Sequence, residues 1–289
     1  MDYRLVLTAA LGQLRDDAVE IIAALIGHPP HWLSAGTACE FRVDGPGLLE
    51  QARTALNGHT VDVNALAEQG RRKQLLLADM DSTIIGCECL DEIADFAGLK
   101  PQIAAITERA MRGEIEFEPA LRERVALLKG MQAANLERVY AERVTVNPGA
   151  RAMVHTMAEA GATTMLISGG FSFFTTRVAK DVGFAGEQAN ELLVADGKLT
   201  GAVREPILGR SAKREALHRL AREKGIQLSD TIAIGDGAND LGMIGDSGLG
   251  IAYRAKPVVA AAAAARLDHS DLEAVLFLQG YRDDEIVRA

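Results

Sequence analysis

Hydrophobic positions along the chain change period several times, and each change marks an element. Within the first 64 residues, YRLVLT (3–8), TACEFRVDG (37–45) and HTVDVN (59–64) read as strands. Between them, QLRDDAVEIIAALIG (13–27) and GLLEQARTAL (47–56) carry apolar residues at helical spacing. This β-α-β-α-β order predicts a small α+β domain over residues 1–70, and the polar, basic AEQGRRK (67–73) reads as a linker. From residue 74 the pattern becomes strand and helix in alternation. QLLLAD (74–79), TTMLIS (163–168) and DTIAIGD (230–236) are apolar runs of strand length. GARAMVHTMAEAG (149–161) and SAKREALHRLAREKG (211–225) are helices stopped by glycine, with Ser211 as the cap of the second. Such alternation predicts an α/β core over 71–289, a parallel sheet covered by helices. A mostly helical insertion occupies about 86–143, ELLVADGKLTGAV (191–203) reads as a hairpin turning at Asp196-Gly197, and the alanine run 260–265 reads as helix.

Composition narrows the class only a little. The chain has 289 residues, 48% hydrophobic and 25% charged, as in ordinary soluble globular proteins. No run approaches the ~18 apolar residues of a membrane span, and MDYRLVLTAALGQLRDD lacks the basic and apolar regions of a secretory leader. The formal charge of −9 argues against a nucleic-acid partner and leaves a small anionic ligand open. Cys39, Cys87 and Cys89 make no disulfide framework, and no histidine pair at zinc spacing accompanies them. A cytoplasmic chain with reduced thiols is expected.

The chemistry gathers at strand ends. Asp79 and Asp81 lie two apart, so both face one site past the end of the first core strand. Ligands of open parallel sheets bind at that edge. GDGAND places Asp236, Asn239 and Asp240 at the end of another strand. Converging carboxylates repel one another, and a hard divalent cation such as Mg2+, which also accepts a phosphate oxygen, relieves this. Ser168 and the amides of Gly169-Gly170 offer an anion cradle, to which Lys213 adds a point charge. Taken singly these are ordinary features: an Asp-x-Asp is most often a solvated turn, and Ser-Gly-Gly a loop. Their order along one chain is the signal.

That order resembles the haloacid dehalogenase-like hydrolase superfamily over about residues 74–255, through DMDST, SGG, Lys213 and GDGAND. Within it the chain is similar to the phosphoserine phosphatase family, which has a glutamate soon after the first motif and an arginine in a helical cap. Here these are Glu88 and Arg124, with Met111 and Phe117 at the positions of the apolar lid. The resemblance implies a Rossmann-like core with a helical cap. It implies Mg2+-dependent hydrolysis of O-phospho-L-serine, the last step of serine biosynthesis, through an aspartyl-phosphate. Asp79 is then the nucleophile and Asp81 the general acid and base. Asp79, the carbonyl of Asp81 and Asp236 hold the metal, and Asp240 orients the groups around it. Ser168, Gly169, Lys213 and Asn239 hold the phosphate end, Glu88 takes the ammonium and Arg124 the carboxylate. Thr83 is expected to secure the loop.

The N-terminal segment resembles ACT-type ligand-binding domains but counts one strand short. Amino-acid regulation, a structural role and dimerisation all remain open there, and a homodimer is one allowed assembly. Rival functions are a phosphatase of the same fold acting on another small phosphomonoester, and an amino-acid sensor without turnover. DHS (268–270) matches a hydrolytic trio by composition only, since adjacent residues on one helix point apart.

Overall fold

The computed structural model describes residues 2–112, 114–209 and 211–288, apart from the side chain of Met111. The N-terminal part carries β1 (Tyr3–Thr8), β2 (His31–Ser34), β3 (Ala38–Val43) and β4 (Asp62–Ala67), with helices Asp16–Ile26 and Leu49–Ala55. Its sheet runs in the order β2-β3-β1-β4 and is antiparallel throughout. This is the β-α-β-β-α-β arrangement, so the missing strand is β2. HWLS follows Pro29-Pro30, sits on the sheet edge with a register irregularity, and exposes His31 and Trp32. A run so short and half-exposed carries no readable alternation.

The larger part holds β5 (Leu75–Ala78), β6 (Thr163–Phe171), β7 (Gly186–Asn190), the hairpin β8 (Leu192–Ala195) and β9 (Lys198–Val203), then β10 (Thr231–Gly235), β11 (Leu249–Tyr253) and β12 (Ala265–Leu267). Six of these make a parallel sheet ordered β12-β11-β10-β5-β6-β7. Alternate residues of β5 serve opposite faces. Leu76 and Ala78 join the cluster of Met153, Met157, Phe174 and Val178, whereas Leu75 and Leu77 join Leu217, Leu220 and Met243. β5 lies between β10 and β6, where the strand order reverses, and such a point opens a crevice at the strands' carboxyl ends.

Helices Cys89–Phe96, Lys100–Met111, Phe117–Ala126 and Ala134–Arg143 fill the insertion between β5 and the rest of the sheet. The β8–β9 hairpin belongs with them: β9 packs on the helix Phe117–Ala126, and Gln132 bridges to Lys198. Asp196 and Gly197 turn it with φ of 50° and 73°, the left-handed pair that a two-residue hairpin requires.

Several sequence expectations shift. Ser211 stands at the start of the helix Ala212–Lys224 without a capping bond. The alanine run splits, since the helix Pro257–Ala262 ends before β12 begins at Ala265. Residues 268–270 form a bend rather than a helix. The basic stretch before β5 is no free tether. Arg71 pairs with Glu40 at 2.8 Å and donates to the carbonyls of Phe277 and Leu278, both at 3.2 Å. No helix among the described residues is long and apolar enough to cross a membrane.

Candidate active site

Four strand or helix ends converge on one acidic centre. The Asp79 N–H donates to the Ile234 carbonyl (3.0 Å), which extends the β5–β10 pairing by one residue. The chain then breaks sharply, with Ser82 at φ 56°. Asp79 accepts from the Met80 N–H at 2.7 Å through Oδ1, and Lys213 Nζ lies 2.6 Å from the same oxygen. Asp81 is held on both oxygens: Oδ1 accepts from the Cys89 N–H (2.9 Å) and Oδ2 from the Ser168 hydroxyl (3.1 Å). One carboxylate oxygen each from Asp79, Asp236 and Asp240 lie within 4.8 Å of one another. Asp240 is committed on both sides, to Lys213 Nζ at 2.6 Å and to the Gly237 N–H at 3.0 Å.

Burial makes this concentration of charge expensive. Burial, then the nearby Asp240, hold the Asp79 carboxyl well above the usual range, although Lys213 pulls the other way. Asp81 is raised to about 6 by burial and Glu88, and Asp236 to about 6 by burial, Asp240 and Glu88. Burial pulls Lys213 down, but Asp79 and Asp240 reverse this and leave it raised. One lysine does not balance four acids. The donor set, all hard oxygens around a net negative centre, fits a divalent cation of the Mg2+ type.

Beside this centre, β6 continues past Ser168 through Gly169-Gly170 to Phe171, so the cradle glycines extend the strand. A Cβ on Gly170 would stand 2.8 Å from Asp81 Oδ2 and 3.0 Å from Ser168 Oγ. Only glycine allows that approach. Phe117 lies over Gly169, where a Cβ would meet its ring at 3.3 Å. Phe117, Ser168, Gly169, Lys213 and Asn239 line a cavity with about 20 Å³ of free space. That is room for about one water, less than a phosphomonoester fills.

The family model for haloacid dehalogenase-like hydrolases matches residues 76–244. The chain belongs to this family. A phosphoserine phosphatase of Streptomyces coelicolor is 41% identical over 259 residues, covering 88% of this chain and 63% of its own. The chain thus spans less than two thirds of that relative's length. A family hydrolase from Salmonella enterica serovar Typhi superposes with a TM-score of 0.86 at 29% identity, over 96% of this chain and 98% of that one. A phosphoserine phosphatase solved as a phospho-aspartyl intermediate analogue gives 0.66 at 39% identity, over 71% of this chain and 98% of that one.

Around this family centre the structure gathers Asp79, Asp81, Ser168, Gly169, Lys213, Asp236, Asn239 and Asp240. Glu88 lies near enough to raise Asp81 and Asp236, and Arg124 stands on the cap helix Phe117–Ala126. The exposed Glu88 accepts from the Ser82 hydroxyl at 2.6 Å. Arg124 spends Nε on the Ala120 carbonyl (3.2 Å) and has no ion pair among the described residues. Burial lowers its pKa while Asp91 and Glu88 raise it, which places it within the field of Glu88. The Met111 side chain lies outside the described residues.

Thr83 does not secure the loop through its side chain, because its hydroxyl is buried without a partner. Asn147 does that work, donating to the Thr83 carbonyl at 2.7 Å. Asn190 likewise donates to the Gly169 carbonyl (2.9 Å) and accepts from the Leu208 N–H (2.8 Å). Neither asparagine stands in a motif, so nothing in the sequence marks either.

Proposed function

We propose that the chain is a Mg2+-dependent phosphatase that hydrolyses O-phospho-L-serine to L-serine and phosphate through an aspartyl-phosphate on Asp79. In the cytoplasm this would complete serine biosynthesis. The observation that carries the reading is the division of labour between the paired acids. Lys213 and the Met80 N–H fix one oxygen of Asp79, whereas Ser168 and the Cys89 N–H orient Asp81 beside it.

In the first step Asp79 Oδ2 attacks phosphorus and the bond to the serine oxygen breaks. Asp81, whose pKa burial and Glu88 raise to about 6, gives its proton to that oxygen. Asp81 then takes a proton from water, whose oxygen attacks the same phosphorus and frees Asp79 and phosphate. Ser168, the Gly169 amide and Lys213 stabilise charge on the equatorial phosphate oxygens, with Asn239 beside them. Asp79, Asp236 and the Asp81 carbonyl would hold Mg2+, with Asp240 orienting Lys213. When bound, the ion offsets the charge of the acids and of the phosphate. Glu88 receives the substrate ammonium and the free fork of Arg124 its carboxylate. Phe117 closes over the substrate and excludes water.

We further propose that residues 1–70 form one unit and 71–289 another, with the cap over about 86–143. Support for phosphoserine comes from the relatives' names together with Arg124 lying within the field of Glu88. A panel of phosphoserine, phosphothreonine, sugar phosphates and an aryl phosphate, run with and without Mg2+, tests it. Preference for phosphoserine that vanishes with EDTA is expected. Equal turnover of all substrates favours a general phosphatase of the same fold, and serine binding without phosphate release favours a sensor.

A further inference from the structure

Cys87 and Cys89 flank Glu88 in the loop that follows the acidic pair, and no step above uses either thiol. Glu88 is extended (φ −95°, ψ 109°), so the side chains before and after it project the same way. The neighbouring Cys87 thiol, together with burial, pushes the Cys89 thiol up. Cys87 is half-buried at the fringe of the core, while Cys89 is buried. Three hydrogen bonds stitch the same loop. The Ser82 N–H donates to the Cys87 carbonyl (3.2 Å), the Ser82 hydroxyl to Glu88 (2.6 Å), and the Cys89 N–H to Asp81 (2.9 Å). The third cysteine, Cys39, is sealed in the N-terminal sheet with its thiol pushed up to about 12 by burial.

We propose that Cys87 and Cys89 close a reversible disulfide under hydrogen peroxide, and that closing it disables the neighbouring site. Cys87, the more accessible thiol, attacks a peroxide oxygen and breaks the O–O bond, giving a sulfenic acid and one water. The Cys89 sulfur then attacks the sulfenic sulfur, and the hydroxyl leaves with the Cys89 proton as a second water. One peroxide thus takes two electrons from the dithiol, and a thiol reductant returns them.

Residues two apart along a strand stand about 6.6 Å apart between Cα atoms. A disulfide spans about 4.4–6.8 Å and is commonest near 5.5–6 Å. Reaching that commonest spacing draws the backbone inward at Glu88. That movement pulls the Cys89 N–H from Asp81 and turns the Glu88 carboxylate from Ser82. The disulfide stands without the substrate assignment; its effect on phosphoserine rests on that reading.

The test treats the full Mg2+-loaded chain with hydrogen peroxide, blocks free thiols with N-ethylmaleimide, and reads the tryptic peptide 74–109, which holds both cysteines. The expected peptide is lighter by two hydrogens and carries no maleimide. The kcat/KM for phosphoserine should fall about 100-fold, the low end of what a positioned general acid supplies. Dithiothreitol should reverse both changes, and Cys87→Ser should keep its activity before and after peroxide. A sulfinic acid on Cys87 without a disulfide overturns the proposal. So does a disulfide that leaves activity unchanged, or the same reversible loss in Cys87→Ser. Should phosphoserine prove not to be a substrate, the peptide mass and the loss of aryl-phosphate hydrolysis still decide it.

Discussion

Asp79 and Asp81 carry the same functional group two positions apart, and their neighbours set them to different tasks. Because burial raises the pKa of Asp79, its ionised form costs the fold stability. Asp79→Asn should therefore abolish turnover while leaving Tm equal to or above that of the parent. Normal activity would dismiss Asp79 as the nucleophile. Arg124→Ala should raise the KM for phosphoserine about 100-fold, as expected for a lost charge-assisted pair of about 3 kcal/mol. Aryl-phosphate hydrolysis should change little, and equal losses on both would show that Arg124 does not read the carboxylate.

Asp236 supplies a pH signature. Its pKa is raised to about 6, so the folded chain holds that proton more tightly than the unfolded chain. This contribution to stability is full below the ordinary carboxylate value and is lost as pH rises through about 6. EDTA-treated protein should melt at higher temperature at pH 5 than at pH 7.5, and Asp236→Asn should shrink the difference. A larger gap in that variant would contradict the assignment. These acids were legible because each ends an apolar run. Asn147 and Asn190 were not, since an isolated asparagine shows nothing of the carbonyl it will meet.

Elements that position the site were legible where the sequence was least ambiguous. LLLA of β5 and TIAIG of β10 are buried along their whole length, so continuous apolar character marks them. β7 has no such mark: GEQAN is largely half-exposed, and it is strand only because β6 pairs with it. The hairpin β8–β9 was read from its turn, but its alliance with the cap depends on packing against the helix Phe117–Ala126, which no local pattern encodes. The turn after β5 is fastened from a distance by Asn147. Asn147→Ala leaves the Thr83 carbonyl without that donor and should cost about 1 kcal/mol, measured by urea unfolding. An unchanged midpoint would show that the turn holds itself.

Across the whole molecule, the two sheets are joined through polar groups that the sequence presents as ordinary strand residues. Asp62 of β4 accepts from the backbone N–H groups of Asp268, His269 and Ser270 at 2.8–3.2 Å. The Asn64 amide donates to the Arg266 carbonyl and accepts from its N–H, both at 2.9 Å, as a neighbouring strand would. β12, the edge of the parallel sheet, is thereby covered by the N-terminal part. Asp62→Ala should cost about 3 kcal/mol, since charged hydrogen bonds in buried surroundings are lost together. Calorimetry should then resolve a separate early transition for the N-terminal sheet. A single transition at the parent temperature would mean that the docking rests on other contacts.

The account depends on a phosphoryl group passing through Asp79. Enzyme mixed with phosphoserine and Mg2+, quenched in acid during turnover and digested, should yield the peptide containing Asp79 heavier by one phosphoryl group. The mass should vanish when substrate is exhausted before the quench and never arise in Asp79→Asn. Sustained serine release with Asp79 unmodified throughout, or a phosphoryl group found on another residue, would contradict the account.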